Sequence, residues 1–211
     1  MTITRRTAAL SLAAAAVAPA ALAQTKLSPQ DEALVEKATV YLQGLGEAMG
    51  RFVQTDPQGR VSEGTFYLKR PGKARFDYDP PSGLVVVSDG AAVTVADNRL
   101  KTFTRYPLGM TPLALFLAKT IRLDRGVEIA GVERQGSTFT ITARDGHRKN
   151  TGQLQLTFTD SPVQLISWAA TDARGATTRV RLIGLSPTSG LRNDLFVGKD
   201  PRRAPERHAA M

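Results

Sequence analysis

The chain has no cysteine, and its 211 residues include only two histidines and one tryptophan. Without cysteine there is no disulfide framework, no nucleophilic thiol and no residue that could carry the lipid anchor of a bacterial lipoprotein. His147 stands in a predicted turn and His208 near the end of the chain, both without neighbouring acidic clusters. Such isolated imidazoles make a poor zinc site and a poor general base. We therefore expect no metal and no cofactor.

Sequence signatures of catalysis are also missing. There is no Gly-x-Ser-x-Gly elbow and no glycine-rich phosphate loop. Asp77 and Asp79 share a predicted strand face, but Arg75 lies on the same face and Pro80-Pro81 ends the strand. A solvated, charged edge explains this pattern better than a carboxylate pair for acid–base work does. The sequence thus argues against an enzyme.

The first 23 residues have the pattern of an export signal. Arg5-Arg6 precedes the apolar run from Ala8 to Val17, and Ala21-Leu22-Ala23 offers a small-residue cleavage site. The pattern leaves open whether export uses the general secretory or the twin-arginine route, and whether the segment stays as an anchor. We expect a mature protein from Gln24 onward, soluble in the periplasm.

Positive charge is in excess, and part of it belongs to the leader. The net charge of +9 falls to +7 without residues 1–23, because they hold two arginines and no acidic residue. Export argues against nucleic acid as a partner. The remaining excess suits either an anionic membrane surface or an acidic protein face, or reflects an ordinary basic protein without such a partner.

The first mature element is predicted to be a helix. Ser28 is a candidate N-cap with Asp31 three residues later, and Pro29 fits the first helical turn. The apolar face of this helix consists of Leu34, Ala38, Tyr41, Leu42 and Leu45. Gly44 and Gly46 then end it.

From about Ala48 the apolar period changes to two, with turn signals at intervals of roughly ten residues. A leucine-rich segment, 111–119, interrupts this pattern and predicts a second helix. We predict a mainly β fold with helices (α+β): one antiparallel sheet of about ten strands. Because so long a sheet twists and curls, its apolar concave face needs a cover, which only the two helices can supply. The predicted single domain spans 24–198, and 199–211 is predicted to be a disordered basic tail.

Several short motifs, taken together, resemble the outer-membrane lipoprotein carrier family LolA. They are Phe52-Val53-Gln54, Gly64 two residues before Phe66, Arg70-Pro71-Gly72-Lys73 with Phe76 and Tyr78, Val86-Val87-Ser88-Asp89-Gly90, and Thr111-Pro112-Leu113. Their order and spacing match over most of the mature chain. The missing cysteine separates a soluble LolA-like carrier from its lipid-anchored relative LolB.

The resemblance implies an incomplete, half-open β-barrel with helices as a lid over an apolar cavity. In the family, the arginine at the Arg70 position latches the closed lid through hydrogen bonds to backbone groups, and positions matching Ala74, Phe76 and Tyr78 face the cavity. Ala74 stands where some carriers have a large aromatic residue, which suggests a roomier mouth. The predicted acyl-chain cavity comprises Phe66, Leu68, Ala74, Phe76, Tyr78 and Trp168. The predicted lid helix carries Leu113, Leu115, Phe116 and Leu117.

Other interpretations of these residues remain open. Arg70 could be a surface arginine beside a turn. The aromatic side chains of Phe76, Tyr78 and Trp168 could be ordinary core, and the leucine-rich helix a permanently packed one.

The resemblance also predicts the partners. They are acylated lipoproteins as cargo, an inner-membrane lipoprotein-releasing ABC transporter, and an LolB-like outer-membrane acceptor where one exists. We expect a monomer. The alternative function is a periplasmic regulatory domain of the same half-barrel fold that senses a lipid or a protein. A lipid or glycan hydrolase is a third interpretation, for which the sequence offers no acid or nucleophile.

Overall fold

The computed structural model describes residues 27–111, 113–118, 127–146 and 152–203, without the side chains of Leu115 and Asp145. The predicted export signal, 1–23, lies outside the described residues, and so do both histidines and residues 204–211 of the predicted tail. Within the described ranges, no helix has both the length and the apolar character that a membrane span requires.

Eleven strands form one sheet in which every neighbouring pair is antiparallel. The strands are β1 (Glu47–Thr55), β2 (Val61–Lys69), β3 (Lys73–Tyr78), β4 (Leu84–Asp89), β5 (Ala92–Asp97), β6 (Thr102–Pro107), β7 (Val127–Gln135), β8 (Thr138–Asp145), β9 (Gln153–Asp160), β10 (Val163–Thr171) and β11 (Thr177–Pro187). The described residues also form two α-helices, α1 (Pro29–Gly44) and α2 (Leu113–Leu117), and two 3-10 turns, Leu108–Met110 and Asn193–Phe196.

The sheet is open, because β6 and β7 are its two edges. Its order is β6-β5-β4-β3-β2-β1-β11-β10-β9-β8-β7, so each strand follows its neighbour along the chain except where β1 pairs with β11 and where α2 separates β6 from β7. The predicted single antiparallel sheet in a half-open arrangement is thus confirmed, with eleven strands where about ten were expected.

Two of these strands, β7 and β10, lack a continuous alternation of apolar and polar residues in the sequence. Each contains an irregularity in its pairing, between Ile129 and Gly131 in β7 and between Leu165 and Ser167 in β10. A bulge inserts one extra residue, so inward-facing residues on either side of it are no longer separated by an even number. The period of two is therefore interrupted in the sequence of both strands.

Helix α1 forms as its sequence predicts. The Ser28 hydroxyl accepts a hydrogen bond from the Asp31 N–H at 3.1 Å, and Pro29 needs no partner because it has no N–H. Its apolar face contacts β7 and β10, and its Tyr41 ring meets the Phe158 ring of β9 edge-on at 6.1 Å between centroids. The predicted apolar residues Leu34, Ala38, Leu42 and Leu45 are all buried.

The other face of the sheet has a cover of its own, the segment 188–203, which we call the C-terminal strap. Its Phe196 is buried, and three cationic side chains of β2 and β3 bind the strap. Lys69 donates to the Leu191 carbonyl, Lys73 to the Asn193 side chain and Arg75 to the Leu195 carbonyl. The strap ends in a turn at 201–203, in which the Arg203 N–H donates to the Asp200 carbonyl at 3.1 Å. The residues of the predicted tail that are described, 199–203, therefore belong to this strap.

Candidate functional site

Arg70 occupies the turn between β2 and β3 and joins the ends of the two helices. Its guanidinium donates one hydrogen bond to the Leu42 carbonyl, in the last turn of α1, and another, at 2.6 Å, to the Ala118 carbonyl just beyond α2. The Arg70 N–H also donates to the Gly46 carbonyl at 2.8 Å. Both guanidinium contacts reach carbonyl groups at the carboxyl ends of helices, where partial negative charge favours a cation.

Partial burial makes the Arg70 cation less stable than it would be in water. Desolvation lowers the pKa of Arg70 to about 10, so the guanidinium still carries its charge at neutral pH. Its Nε is buried and has no hydrogen-bond partner among the described residues. The hydrogen bonds to the two carbonyl groups therefore replace most of the hydrogen bonds that this guanidinium would make with water.

Backbone contacts bring Gly72, in the same turn, against α2. The Gly72 N–H donates to the Leu117 carbonyl at 2.8 Å, and its own carbonyl accepts a 2.6 Å hydrogen bond from the hydroxyl of Ser88, which is only 2% exposed. Gly72 has a φ of +78°, and a Cβ there would lie 2.7 Å from the Cα of Gly90. Only glycine fits this position, because the turn is both left-handed and tightly packed.

Ser88 is a functional candidate that the sequence analysis missed. The residue belongs to the Ser-Asp-Gly motif, but a serine at the end of a strand ordinarily predicts no more than a turn. Its burial and its bond to Gly72 depend on β3 and β4 being neighbours, which the pattern of a single strand does not reveal.

Four aromatic rings meet between the sheet and α2. Phe66 lies 4.8 Å from Phe76 and 5.5 Å from Trp168, measured between ring centroids, and Phe76 lies 5.9 Å from Trp168. Phe116 of α2 stacks on Trp168 at 5.7 Å with an interplanar angle of 27°. We call Phe66, Phe76, Phe116 and Trp168 the ring cluster; it joins predicted cavity residues to a predicted lid residue.

The remaining predicted cavity residues flank this cluster. Leu68 and Ala74 are buried and lie opposite each other in the β2–β3 pair. Tyr78 is partly buried, and its hydroxyl donates to the Gln54 side chain at 2.8 Å. Burial raises the pKa of Tyr78 to about 12. Phe52, which was not among the predicted cavity residues, packs edge-on against Phe76 and Tyr78 at 5.3 and 5.0 Å.

Helix α2 is one and a half turns long and faces the interior. Phe116 and Leu117 are buried, and Leu113 is partly buried against the core, while the side chain of Leu115 is outside the described part. The predicted helix is therefore present. Whether it opens as a lid stays a prediction.

The arrangement offers apolar contact and hydrogen bonds to backbone carbonyls. Asp77 and Asp79, considered above as a carboxylate pair, instead each bind an arginine, Arg75 and Arg51 respectively. In the described ranges, His, Cys, Asp and Glu side chains nowhere gather into a group of three that could hold a metal. The four rings of the cluster contact one another.

Comparison with known proteins places this arrangement in a family. Residues 43–199 match the family model described as outer membrane lipoprotein carrier protein LolA. An outer-membrane lipoprotein carrier protein from Chromobacterium violaceum is 29% identical over 169 residues, which cover 76% of this chain and 81% of that protein. One from Cupriavidus necator is 26% identical over 194 residues, covering 84% and 89%.

A solved structure of a LolA superfamily protein from Nitrosomonas europaea aligns with 79% of this chain and 97% of its own, at 11% identity and a TM-score of 0.46. The family model alone spans α2, the Arg70 turn and all eleven strands. The chain belongs to the LolA family of outer membrane lipoprotein carrier proteins.

Proposed function

We propose that this protein binds the acyl chains of lipoproteins between its sheet and α2 and carries them through the periplasm from the inner to the outer membrane. The observation that carries the proposal is the position of Arg70, whose guanidinium holds the end of α1 and the end of α2 together. Family membership supports the choice of lipoproteins as cargo. The proposal involves no catalytic step.

Reversibility limits how such a carrier holds its cargo. Each buried methylene gains roughly 0.8 kcal/mol, so complete burial of several acyl chains would approach the tightest noncovalent affinities known. Cargo bound so tightly would leave too slowly for a carrier. The contacts within the ring cluster compete with cargo binding, because acyl chains would replace them. This competition weakens the net affinity for cargo.

The strength of the Arg70 contacts suits a latch. Hydrogen bonds that involve a charged group contribute about 1.5–3 kcal/mol each, and a guanidinium offers several donors in a fixed fork. The Arg70–Ala118 bond and the Gly72–Leu117 backbone bond oppose the opening of α2, yet the binding of a few methylenes outweighs them. Arg70 and Gly72 thus set a threshold that an acylated ligand exceeds and an unacylated one does not.

Native mass spectrometry after co-expression with a model lipoprotein tests cargo binding. We expect a one-to-one complex with the lipoprotein and none with a variant whose lipidated cysteine is replaced by alanine. Equal binding of both forms would contradict the proposal. Stoichiometric binding without any transfer to acceptor membranes would instead favour the sensory alternative.

Transfer from the purified carrier to acceptor membranes tests the latch. Arg70→Leu should retain the fold and change the rate of cargo release, whereas Arg174→Leu, at an exposed turn, should release like the wild type. If Arg70→Leu transfers cargo at the same rate as the wild type and Arg174→Leu, Arg70 is not a latch. Comparing acceptor membranes with and without an LolB-like protein tests the outer-membrane partner. Using the ABC transporter as cargo donor tests the inner-membrane partner.

A further inference from the structure

The outer face of the sheet carries a groove that the proposed carrier function does not use. Small side chains of β10, Ser167 and Ala169, form its floor. Arg179 and Arg181 of β11 stand along one wall, and Gln155 and Thr157 of β9 along the other. We call it the outer groove, and its volume is about 670 Å³.

The strand register explains the groove. Ser167 lies opposite Arg181 on one side and Thr157 on the other, and Ala169 lies between Arg179 and Gln155 in the same way. Two long side chains, two small ones and two of intermediate size therefore stand in parallel rows. The pairing shift between Leu165 and Ser167 lies at the end of this floor, where bulges bend a strand.

Arg179 and Arg181 are exposed, and neither guanidinium has a hydrogen-bond or ion-pair partner in the described part of the chain. Their Cα atoms are about 7 Å apart, because they are two residues apart on one strand. The groove lining includes one carboxylate, Glu133 of β7, which lies four strands from Arg181 in the same cross-strand row; Glu63 lies two strands away on the other side. Two like charges stand side by side, and the ligands that complement them are anionic.

Other arginines of the sheet contrast with this pair. Each of three others binds an aspartate in or next to the sheet: Arg51 binds Asp79, Arg75 binds Asp77 and Arg105 binds Asp89. Of these five arginines, only Arg179 and Arg181 stand beside the floor of small residues. Their positions therefore leave both charges available to a partner.

The shape of the outer groove favours a polypeptide over a lipid surface. Its walls stand two strand spacings apart, roughly 10 Å, which admits one extended chain. In such a chain, side chains at i and i+2 point the same way with the same spacing as the two arginines. Val61, beyond the arginines, is 64% exposed and offers apolar contact. A flat layer of headgroups would meet the arginine tips but not the floor.

We propose that the outer groove is a docking site for an extended segment of a protein partner that bears two carboxylates at i and i+2 and a neighbouring apolar residue. The carboxylates bind Arg179 and Arg181, the backbone of the segment lies over Ser167 and Ala169, and the apolar residue covers Val61. This surface is separate from the interior that α2 covers, so the partner and an acylated cargo can bind together.

A synthetic peptide with the sequence acetyl-Val-Glu-Ser-Glu-Val-amide serves as the probe, and its twin with glutamine in place of both glutamates is the control ligand. Titration followed by ¹⁵N–¹H correlation spectra should shift the amide signals of Ser167, Ala169, Arg179 and Arg181. The glutamine twin should bind at least tenfold more weakly. Binding of the acidic peptide should also weaken as salt concentration rises, because exposed charges are screened.

Two pairs of variants separate this site from general charge attraction. Arg179→Glu/Arg181→Glu should weaken peptide binding at least tenfold, while Arg99→Glu/Arg174→Glu, with the same change in net charge at two exposed turns, should leave it within twofold. Arg179→Gln/Arg181→Gln replaces the first pair if circular dichroism shows that the charge reversal disturbs the fold.

Three outcomes would overturn the proposal. In the first, the peptide shifts the amide signals of residues outside the outer groove. In the second, both variant pairs weaken peptide binding equally. In the third, the full chain does not bind the peptide but binds phosphatidylglycerol vesicles in a way that depends on Arg179 and Arg181. The carrier function is tested independently, because native mass spectra of cargo complexes do not involve the outer groove.

Discussion

Two helices cover the interior of the same sheet, but the contacts that hold them differ in kind. Helix α1 spans 16 residues, has a side-chain cap and is anchored by buried leucines and by the Lys37–Asp160 ion pair at 2.7 Å. Helix α2 has five residues and depends on Phe116, Leu117 and the hydrogen bonds from Arg70 and Gly72. Isolated helices as short as α2 are unstable, so α2 exists only while these contacts do.

We propose that α2 is the cover that moves. Separating α1 from the sheet would expose a large part of the core, whereas separating α2 would expose Phe116 and Leu117 and break a few polar bonds. Segments with few buried contacts open locally at a lower free energy than the whole protein unfolds. The following predictions compare the two helices, from the largest expected effect to the smallest.

Leu42→Ala should lower the free energy of unfolding by about 3 kcal/mol, because it removes a fully buried side chain from a helix that cannot relax into the space. Urea unfolding followed by circular dichroism measures this change. Val40→Ala, on the exposed face of the same helix, should change it by less than about 0.5 kcal/mol. Similar losses for both variants would show that α1 is not a fixed part of the core.

Phe116→Ala should cost less global stability than Leu42→Ala, although truncating phenylalanine in a rigid core costs about 3–5 kcal/mol. The loss is limited by the free energy of opening α2, beyond which the open form becomes the native state. Trp168 is the sole tryptophan and is 5% exposed, so its emission should shift to longer wavelength. Met110→Ala, at an exposed site, should leave the emission unchanged. A full rigid-core loss in Phe116→Ala would argue that α2 is permanent core.

Ser28→Ala should lower stability by about 1 kcal/mol, because the Asp31 N–H loses its acceptor at the start of α1. Ser28→Thr keeps an oxygen acceptor and should retain most of the stability that the cap contributes. Since the cap belongs to α1, hydrogen exchange of α2 should be the same in both variants and the wild type. Faster exchange in α2 would mean that the two helices open together.

The smallest effect concerns Tyr78, whose raised pKa of about 12 links stability to alkaline pH. The unfolded chain ionises this tyrosine near pH 10 while the folded protein keeps it protonated, so stability falls as pH rises from 10 towards 12. At pH 10.5 the wild type should have lost about 0.8 kcal/mol more than Tyr78→Phe, relative to pH 8. Identical pH dependence would place Tyr78 in contact with water.

Much of the fold could be predicted from sequence, since α1, α2 and eight of the strands have uninterrupted patterns or clear caps, and β11 alternates from Val180 to Leu182 before its own pairing shift. The strands β7 and β10 could not, because bulges break their alternation. The predicted latch and cavity residues came from family motifs, and the structure places Arg70 between the helices and three cavity rings together with Phe116. Ser88 and the outer groove depend on which strands are neighbours, and alternation within one strand does not contain that information.

Hydrogen exchange of the wild-type protein, with and without a synthetic peptide that bears a triacylated N-terminal cysteine, tests the central account most directly. The account predicts that amides of 113–118 lose protection when the lipopeptide binds, while those of α1, 29–44, do not change. The unacylated peptide should change neither. The account would be contradicted if the protection of α2 did not change when the lipopeptide is bound. It would also be contradicted if α2 were as protected as the central strands both with and without the lipopeptide.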